Sequence, residues 1–414
     1  MKQSQVGLLT EDLTAVGSIA SPEINTRQQY NIDTPFNQWS FLAFGIALLL
    51  PWNAVIAAMD YFVTIYPDQK PSFTFLVAVS VPMLIMQIFC NLLRGQISLR
   101  VSLTSALFIN GSLTLLTAII PQVISDQNTS YYIMLVVVFI FGCMIAFLQT
   151  ACYGVAGVSM KLTTQLMVGV GLSSIIMNVL RMIFLATVQS YAAGQIVFFS
   201  ISGAYMYLCS FLSVIFLRSY ERNQFLNDTE QINNSELKQG PNTGDKSMIK
   251  RLWKVYKINY PAGLSVVLTF AIQYTYFPGV MLIKELSFFT NFAWFASILI
   301  TFHNICDTIG RTLAGKYIIV SKQMYPYVCL VRLIFIVTYT LFYKGVAPGF
   351  FQSDAFVIVN LFLFSISCGY LASIGMYYGS DKECGDQGLA GSIMGFNLTL
   401  GICLGSLFAI TLYS

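Results

Sequence analysis

The sequence predicts an all-α polytopic membrane protein with eleven transmembrane helices. Of its 414 residues, 56% are hydrophobic and only 10% are charged, whereas a soluble domain carries about 25% charged residues. The mean hydropathy is +0.69. Apolar segments long enough to cross a bilayer, which takes about 20 residues, recur from residue 38 onward.

The predicted crossings follow one another along the chain with short polar connections. They are 38–66, 72–93, 100–125, 130–159, 163–189, 193–217, 255–283, 289–318, 324–346, 352–380 and 387–413. Residues 1–37 lack the basic-then-apolar order of a cleavable signal peptide. We therefore expect the first crossing to act as the insertion signal.

The longest polar stretch divides the chain into two groups of helices. Residues 218–254 are rich in Asn, Gln, Glu and Lys, a composition too polar to form a packed core. We predict a cytosolic tail at 1–37, a six-helix bundle at 38–217, a flexible cytosolic loop at 218–254 and a five-helix bundle at 255–414.

The distribution of Lys and Arg predicts the orientation. If the amino terminus is cytosolic, the outside loops hold only Lys70, Lys284 and Lys344, and the other loop cations lie inside. The carboxyl terminus is then outside, because the number of crossings is odd. The small net charge of +4 favours contact with anionic lipid over binding of nucleic acid.

Asp307 and Arg311 place an acid and a base four residues apart within the eighth apolar segment. This spacing puts both on one helix face, together with His303, the only histidine. Ionisable groups are costly in hydrocarbon and usually face a bundle interior or a wet cavity. A substrate path is therefore favoured over the alternative, a structural ion pair that ties this helix to a neighbour.

Two further segments carry polar or aromatic groups at mid-membrane depth. Trp52 follows Pro51 and precedes Asn53 in the first crossing, where an indole can stack on a flat heteroaromatic ring or simply pack between helices. Gln149 in the fourth crossing carries an amide that can read the edge of a base. Its alternative role is an interhelical hydrogen bond.

Asp60 and Arg181 are predicted to lie at similar depth near the outer side, in the first and fifth crossings. Paired, each would neutralise the other and could hold one access state as a gate. The alternative is that Asp60 faces external water and Arg181 snorkels separately.

The sequence excludes most enzyme classes. It has no zinc motif of the His-Glu-x-x-His type, no Gly-x-Ser-x-Gly elbow and no phosphate loop. The nine cysteines lack metal-ligand spacing. We expect no catalytic residue, metal site, cofactor or disulfide framework.

Several segments resemble one family, the equilibrative nucleoside transporters. The resemblance rests on Leu-Leu-Pro51-Trp52-Asn53 with Tyr61-Phe62, Gln149-Thr-Ala-Cys-Tyr-Gly-Val-Ala-Gly157, Phe277-Pro-Gly-Val280, Phe302-His-Asn-Ile-Cys-Asp307-Thr-Ile-Gly-Arg311, Cys368-Gly-Tyr-Leu-Ala-Ser373 and Leu389-Ala-Gly-Ser-Ile-Met-Gly395. These matches run in order from the first crossing to the last.

The resemblance implies facilitative movement of nucleosides, in some members also nucleobases, by alternating access. It implies a major-facilitator-like fold of six plus five helices that rock about a midplane site. In this sequence, Trp52 would pack against the substrate, Gln149 would bind the base, and Asp307 and Arg311 would hold the ribose hydroxyls. Secondary contacts are expected from Asn53, Ile56, His303 and Asn304.

Two departures from the family pattern leave coupling open. Cys368 stands where many members have Asn, and His303 stands where an apolar residue is common. His303 beside Asp307 could couple transport to protons, although a neutral hydrogen-bonding histidine is favoured. An organic-cation carrier is a further alternative, against which Arg311 argues, since a cation site avoids a nearby guanidinium.

A channel or a ligand-sensing receptor is the remaining alternative. A channel should show a repeated polar stripe, whereas the polar groups here are few and fit one central site. We expect a monomer in the plasma membrane whose partners are its small-molecule substrate and lipid.

Overall fold

The computed structural model of this chain describes most of its residues. The described ranges are 32–94, 96–187, 191–234, 246–277, 286–287, 292–345, 349–381, 383 and 385–413. Their α-helices are α1 Pro35–Ala57, α2 Met59–Ile65, α3 Pro71–Leu92, α4 Ala106–Val123, α5 Gln127–Ala156, α6 Met160–Thr187, α7 Tyr191–Asn234, α8 Lys246–Tyr276, α9 Phe292–Lys316, α10 Tyr325–Val331, α11 Ile334–Lys344, α12 Asp354–Gly379 and α13 Gln387–Tyr413.

Local sequence signals explain where several of these helices begin. The side chain of Thr34 accepts a hydrogen bond from the backbone N–H of Asn37, and Pro35 occupies the first turn of α1, where its missing N–H costs nothing. Asp126 caps α5 by accepting from Thr129, and Ser353 caps α12 in the same way.

Two predicted crossings are each built from two helices. The first consists of α1 and α2, which are interrupted at Ala58, and the ninth consists of α10 and α11, which are interrupted at Arg332 and Leu333. Pro51 lies inside α1, where its ring removes one backbone donor from the helix.

Helix extends into the segment that the sequence predicts to be a flexible loop. α7 continues to Asn234 and α8 begins at Lys246, so both ends of 218–254 are helical. The 44 residues of α7 span about 66 Å at 1.5 Å per residue, well beyond a hydrocarbon core of about 30 Å. Hydropathy marks where a chain leaves the membrane, but a polar helix can continue into water.

Ten helices in the described part of the chain are long and apolar enough to cross a membrane. Each of them overlaps one predicted crossing, and among the described residues the eighth crossing has no such helix. α9, of 25 residues, occupies that position and carries the charged residues Asp307, Arg311 and Lys316. The prediction of a nearly all-helical membrane protein is confirmed, and the count of eleven crossings stays a prediction.

The helices pack within two groups that also contact each other. In the first group α1 packs against α6, α3 against α5, and α4 against α7; in the second, α8 packs against α13 and α9 against α12. Across the groups, α6 contacts α9, while α5 and α3 contact α13. Asp307 and Arg311 therefore lie on a helix that touches both groups.

Candidate functional site

A cavity lies between the two groups of helices. From the first group it is lined by Leu49, Asn53 and Ile56 of α1 and by Val170, Ser174 and Asn178 of α6. From the second group it is lined by Gln273 and Tyr274 of α8, by Phe277 just after the end of α8, and by Ile300, Asn304, Asp307 and Arg311 of α9.

Asp307 and Arg311 form a buried ion pair in the wall of this cavity. Arg311 Nε donates to Asp307 Oδ2 at 2.6 Å, and the two side chains are 5% and 7% exposed. Arg311 Nη1 also lies 3.4 Å from the backbone oxygen of Met167 on α6. The guanidinium therefore contacts both a carboxylate on its own helix and the opposite group of helices.

The other carboxylate oxygen, Asp307 Oδ1, is buried and has no hydrogen-bond partner among the described residues. Leaving such an acceptor unsatisfied costs about 1–3 kcal/mol, and more for a charged group. A ligand that donates a hydrogen bond in the cavity would remove this cost. The site thus has an anionic acceptor and a cationic donor side by side.

Close packing against α12 holds Asp307 at this position. A Cβ atom at Gly369 of α12 would collide with the backbone of Asp307, so the missing side chain lets the two helices approach. α9 also packs against α6. The helix that carries the ion pair is therefore packed against both α12 and α6.

The structure brings together five of the residues predicted for the site. Asp307, Arg311, Asn53, Ile56 and Asn304 line the cavity. Asn53 Nδ2 donates to Ser173 Oγ of α6 at 2.6 Å, which fixes the amide between two helices.

Trp52 and Gln149 are not among the lining residues of this cavity. Trp52 is buried, with 6% of its surface exposed. Gln149 Nε2 donates to the backbone oxygen of Gly395 at 2.9 Å and to Thr399 Oγ1 at 3.0 Å. Both amide protons of Gln149 therefore hold α5 against α13, as in the interhelical alternative considered from the sequence.

His303 lies directly behind the cavity wall. It is fully buried, and its ring stacks on Phe277 with a centroid distance of 3.9 Å. Its Nδ1 lies 2.6 Å from Ser365 Oγ and its Nε2 lies 3.3 Å from Gln273 Nε2. His303 reaches the cavity only through the neighbours that line it.

Several polar residues that line the cavity were not predicted from the sequence, namely Gln273, Tyr274, Ser174 and Asn178. Amides within apolar segments were the signal that could have found Gln273 and Asn178. The same signal marks Gln149, which packs elsewhere, so a polar residue in a span does not by itself identify a cavity.

Arg181 and Asp60 form a salt bridge between α6 and α2, from Nη2 to Oδ2. Arg181 is buried and Asp60 is about one-third exposed. The two residues thus pair, which is one of the two arrangements considered from the sequence, and their role as a gate stays a prediction. Within the described ranges no group of three or more His, Cys, Asp or Glu side chains could hold a metal ion.

Solved structures with a similar fold are sugar transporters of the major facilitator superfamily. The fucose:proton symporter FucP of E. coli aligns with a TM-score of 0.54 over 91% of this chain and 95% of its own, at 15% identity. The proton:xylose symporter XylE aligns with a TM-score of 0.57 over 90% of this chain and 87% of its own, at 14% identity. These similarities confirm the predicted major-facilitator-like fold.

Sequence relatives cover nearly the whole chain. Equilibrative nucleotide transporter 8 of Arabidopsis thaliana is 28% identical over 400 residues, which is 93% of this chain and 96% of that protein. Human equilibrative nucleoside transporter 1 is 24% identical, covering 89% of this chain and 95% of its own. The sequence model of the family described as "Nucleoside transporter" matches residues 132–413. With more than half of its length matched, and with transporters rather than enzymes among these relatives, this chain belongs to the nucleoside transporter family.

Proposed function

We propose that this protein is a facilitative carrier that moves nucleosides across the membrane by alternating access, with the substrate bound in the cavity between the two groups of helices. The cavity draws its lining from α1 and α6 on one side and from α8 and α9 on the other. A site shared between two helix groups can open to either side when one group rocks against the other.

The observation that carries the proposal is the buried acceptor Asp307 Oδ1 beside the Arg311 guanidinium. A ribose diol offers hydroxyl protons to a carboxylate and lone pairs to a guanidinium. A sugar hydroxyl bound at this point would satisfy the carboxylate oxygen that is otherwise left without a partner. A purely apolar ligand has no donor to offer to this oxygen.

The aromatic and apolar parts of the cavity suit the base. Tyr274 of α8, Phe277 just after its end and Ile300 of α9 also line the cavity, where they offer apolar area and ring faces. Nucleobases, which lack the ribose, would lose the contact to Asp307. We therefore expect nucleosides to be preferred over free bases.

An organic-cation carrier fits this cavity less well. A cationic substrate would lie close to the buried guanidinium of Arg311, whose repulsion would offset the attraction of Asp307. Proton-coupled transport is the alternative mode, because histidine can bind a proton and His303 contacts Gln273 in the cavity wall. We propose a neutral histidine and uncoupled transport.

The oligomeric state, the membrane and the orientation are part of the same proposal. We infer a monomer in the plasma membrane, with the amino terminus in the cytosol and the carboxyl terminus outside, as the distribution of Lys and Arg favours. Trp52 and Gln149 retain their proposed influence on substrate binding. Trp52 is buried and Gln149 bonds to α13, which supports an action of both through helix packing.

The test is uptake of labelled adenosine, inosine, uridine and hypoxanthine into cells that lack their own nucleoside carriers. We expect saturable uptake of nucleosides that equilibrates at equal internal and external concentrations and that is the same at pH 5.5 and pH 7.5, values chosen to bracket the ordinary pKa of histidine of about 6.5. Accumulation above the external concentration at low pH would instead favour proton coupling. Absence of nucleoside uptake by protein present at the surface would contradict the proposal.

A further inference from the structure

The side chain of Gln273 occupies a special position in the cavity. It lies on α8, is 5% exposed, and is the amide of that helix that lines the space next to α9. Both ends of the amide are held from behind. Gln273 Nε2 contacts His303 Nε2 at 3.3 Å, and the thiol of Cys368 on α12 donates to Gln273 Oε1.

The direction of each hydrogen bond in this cluster follows from one hydroxyl. Ser365 Oγ donates its single proton to the backbone oxygen of Leu361 at 2.7 Å. Its oxygen is then the acceptor for His303 Nδ1–H, and His303 Nε2 is the acceptor for a Gln273 N–H, because an amide nitrogen cannot accept. The neutral tautomer with the proton on Nδ1 satisfies every contact of the ring.

This chain of bonds fixes the orientation of the Gln273 amide. Turning the amide over would place Oε1 against the lone pair of His303 Nε2 and would separate Cys368 from its acceptor. In the observed orientation, one N–H and one Oε1 lone pair remain unused by His303 and Cys368. These are a donor and an acceptor in a fixed order.

A glutamine amide can pair with a base edge at two points, as in its bidentate contact with N6 and N7 of adenine. An amide free to turn can accommodate either order of donor and acceptor on the base. A fixed amide accommodates one order, provided that the base itself cannot turn. On the Watson–Crick edge, a base with an exocyclic amino group presents a donor beside a ring acceptor, whereas a base with an oxo group presents an acceptor beside a ring N–H, so the two classes present opposite orders.

We propose that Gln273 is a specificity-determining residue that discriminates amino bases from oxo bases, and that His303 and Cys368 are positioning residues that hold its amide in one orientation. The inference rests on the proposed function, since it requires the ribose to be held by Asp307 and Arg311. His303 precedes Asp307 by about one helical turn on α9, and Gln273 bonds to His303 while lining the same cavity as Asp307. Gln273 is therefore placed to meet the base of a nucleoside whose ribose is held at the carboxylate.

The test measures competition by two matched pairs of substrates against uptake of a labelled nucleoside. Adenosine and inosine differ by amino and oxo groups on a purine, and cytidine and uridine differ in the same way on a pyrimidine. In the wild type, we expect the half-inhibitory concentrations within at least one pair to differ about fivefold or more, as a bidentate contact requires. In Gln273→Met, which keeps the length but removes the amide, the ratio should fall to within about twofold of one.

Two substitutions at position 303 separate positioning from packing. His303→Phe keeps the ring stacked on Phe277 but removes the acceptor, and His303→Gln keeps an acceptor near the Nε2 position but removes the stack. We expect the phenylalanine variant to lose the discrimination and the glutamine variant to retain it. If His303→Phe fails to reach the membrane, Cys368→Ala and Cys368→Ser provide the same contrast, with the serine retaining a donor to Gln273 Oε1.

Defined results would overturn the inference. A wild type that treats both members of each pair alike, or a Gln273→Met variant with an unchanged ratio, would show that Gln273 does not read the base. Discrimination retained by His303→Phe and lost by His303→Gln would assign His303 to packing alone. A wild-type protein that takes up none of the four nucleosides would contradict the proposed function itself.

Discussion

Replacing Asp307 by Asn removes one charge from the buried pair while preserving the shape of the side chain. The carboxylate accepts from Arg311 Nε at 2.6 Å, and its Oδ1 is the buried acceptor assigned to the substrate. A hydrogen bond to a charged group contributes about 1.5–3 kcal/mol. Its loss from the substrate complex corresponds to a fall of roughly tenfold to 150-fold in the ratio of maximal uptake rate to KM.

The same substitution leaves Arg311 without its counter-ion, which costs about 3–5 kcal/mol of folding stability for a buried pair. Folding and binding are separated by the double variant Asp307→Asn with Arg311→Gln, which leaves two neutral side chains. It should recover thermal stability but not uptake. Recovery of both would show that the pair is only a structural clip between α9 and its neighbours.

The assay is initial-rate uptake normalised to the amount of protein at the surface, with thermal stability measured on the same purified variants. Asp354→Asn is a matched control. This carboxylate lies at the start of α12, where it accepts hydrogen bonds from Ser287 away from the cavity. The control should transport normally, and normal uptake by Asp307→Asn at equal surface level would refute the assignment.

The remaining predictions concern contacts outside the ion pair. The single reversals Asp60→Arg and Arg181→Asp should each impair uptake, and the double swap should restore much of it; additive losses with all three variants at the surface would show that the salt bridge has no role in transport. Gln149→Ala removes two hydrogen bonds to α13, each with a net contribution of about 0.5–1.5 kcal/mol, so thermal stability should fall while the ratio between adenosine and inosine stays unchanged. A Cβ at Gly391 would already collide with the backbone oxygen of Tyr153, so uptake should fall in Gly391→Ala and be lost in the larger Gly391→Val in the same assay.

The positions of the helices follow closely from the sequence, because apolar length is a strong requirement of the bilayer. α5 at Gln127–Ala156 and α12 at Asp354–Gly379 each differ by three or fewer residues at either end from the predicted 130–159 and 352–380. The helical extension of α7 could not be predicted in this way. Hydropathy does not distinguish a polar helix from a loop.

The charged part of the site was predictable and the amide part was not. Asp307 and Arg311 stand out because a buried charge is costly wherever it lies in a membrane. Gln149 and Gln273 are equivalent by that criterion, since an amide is tolerated at a helix interface as readily as in a cavity. Which of them reaches the cavity depends on the direction each helix face takes, and that depends on packing between helices distant in sequence.

The contact between Arg311 and the backbone of Met167 has a thermodynamic consequence. One side chain touches the proposed ligand position, a carboxylate on its own helix and the backbone of the opposite helix group. A sugar that binds to the guanidinium changes the strength of its contact with α6. Substrate binding is therefore coupled to the equilibrium between the inward and outward states. Linkage is reciprocal: whatever favours one state through this contact alters affinity by the same factor.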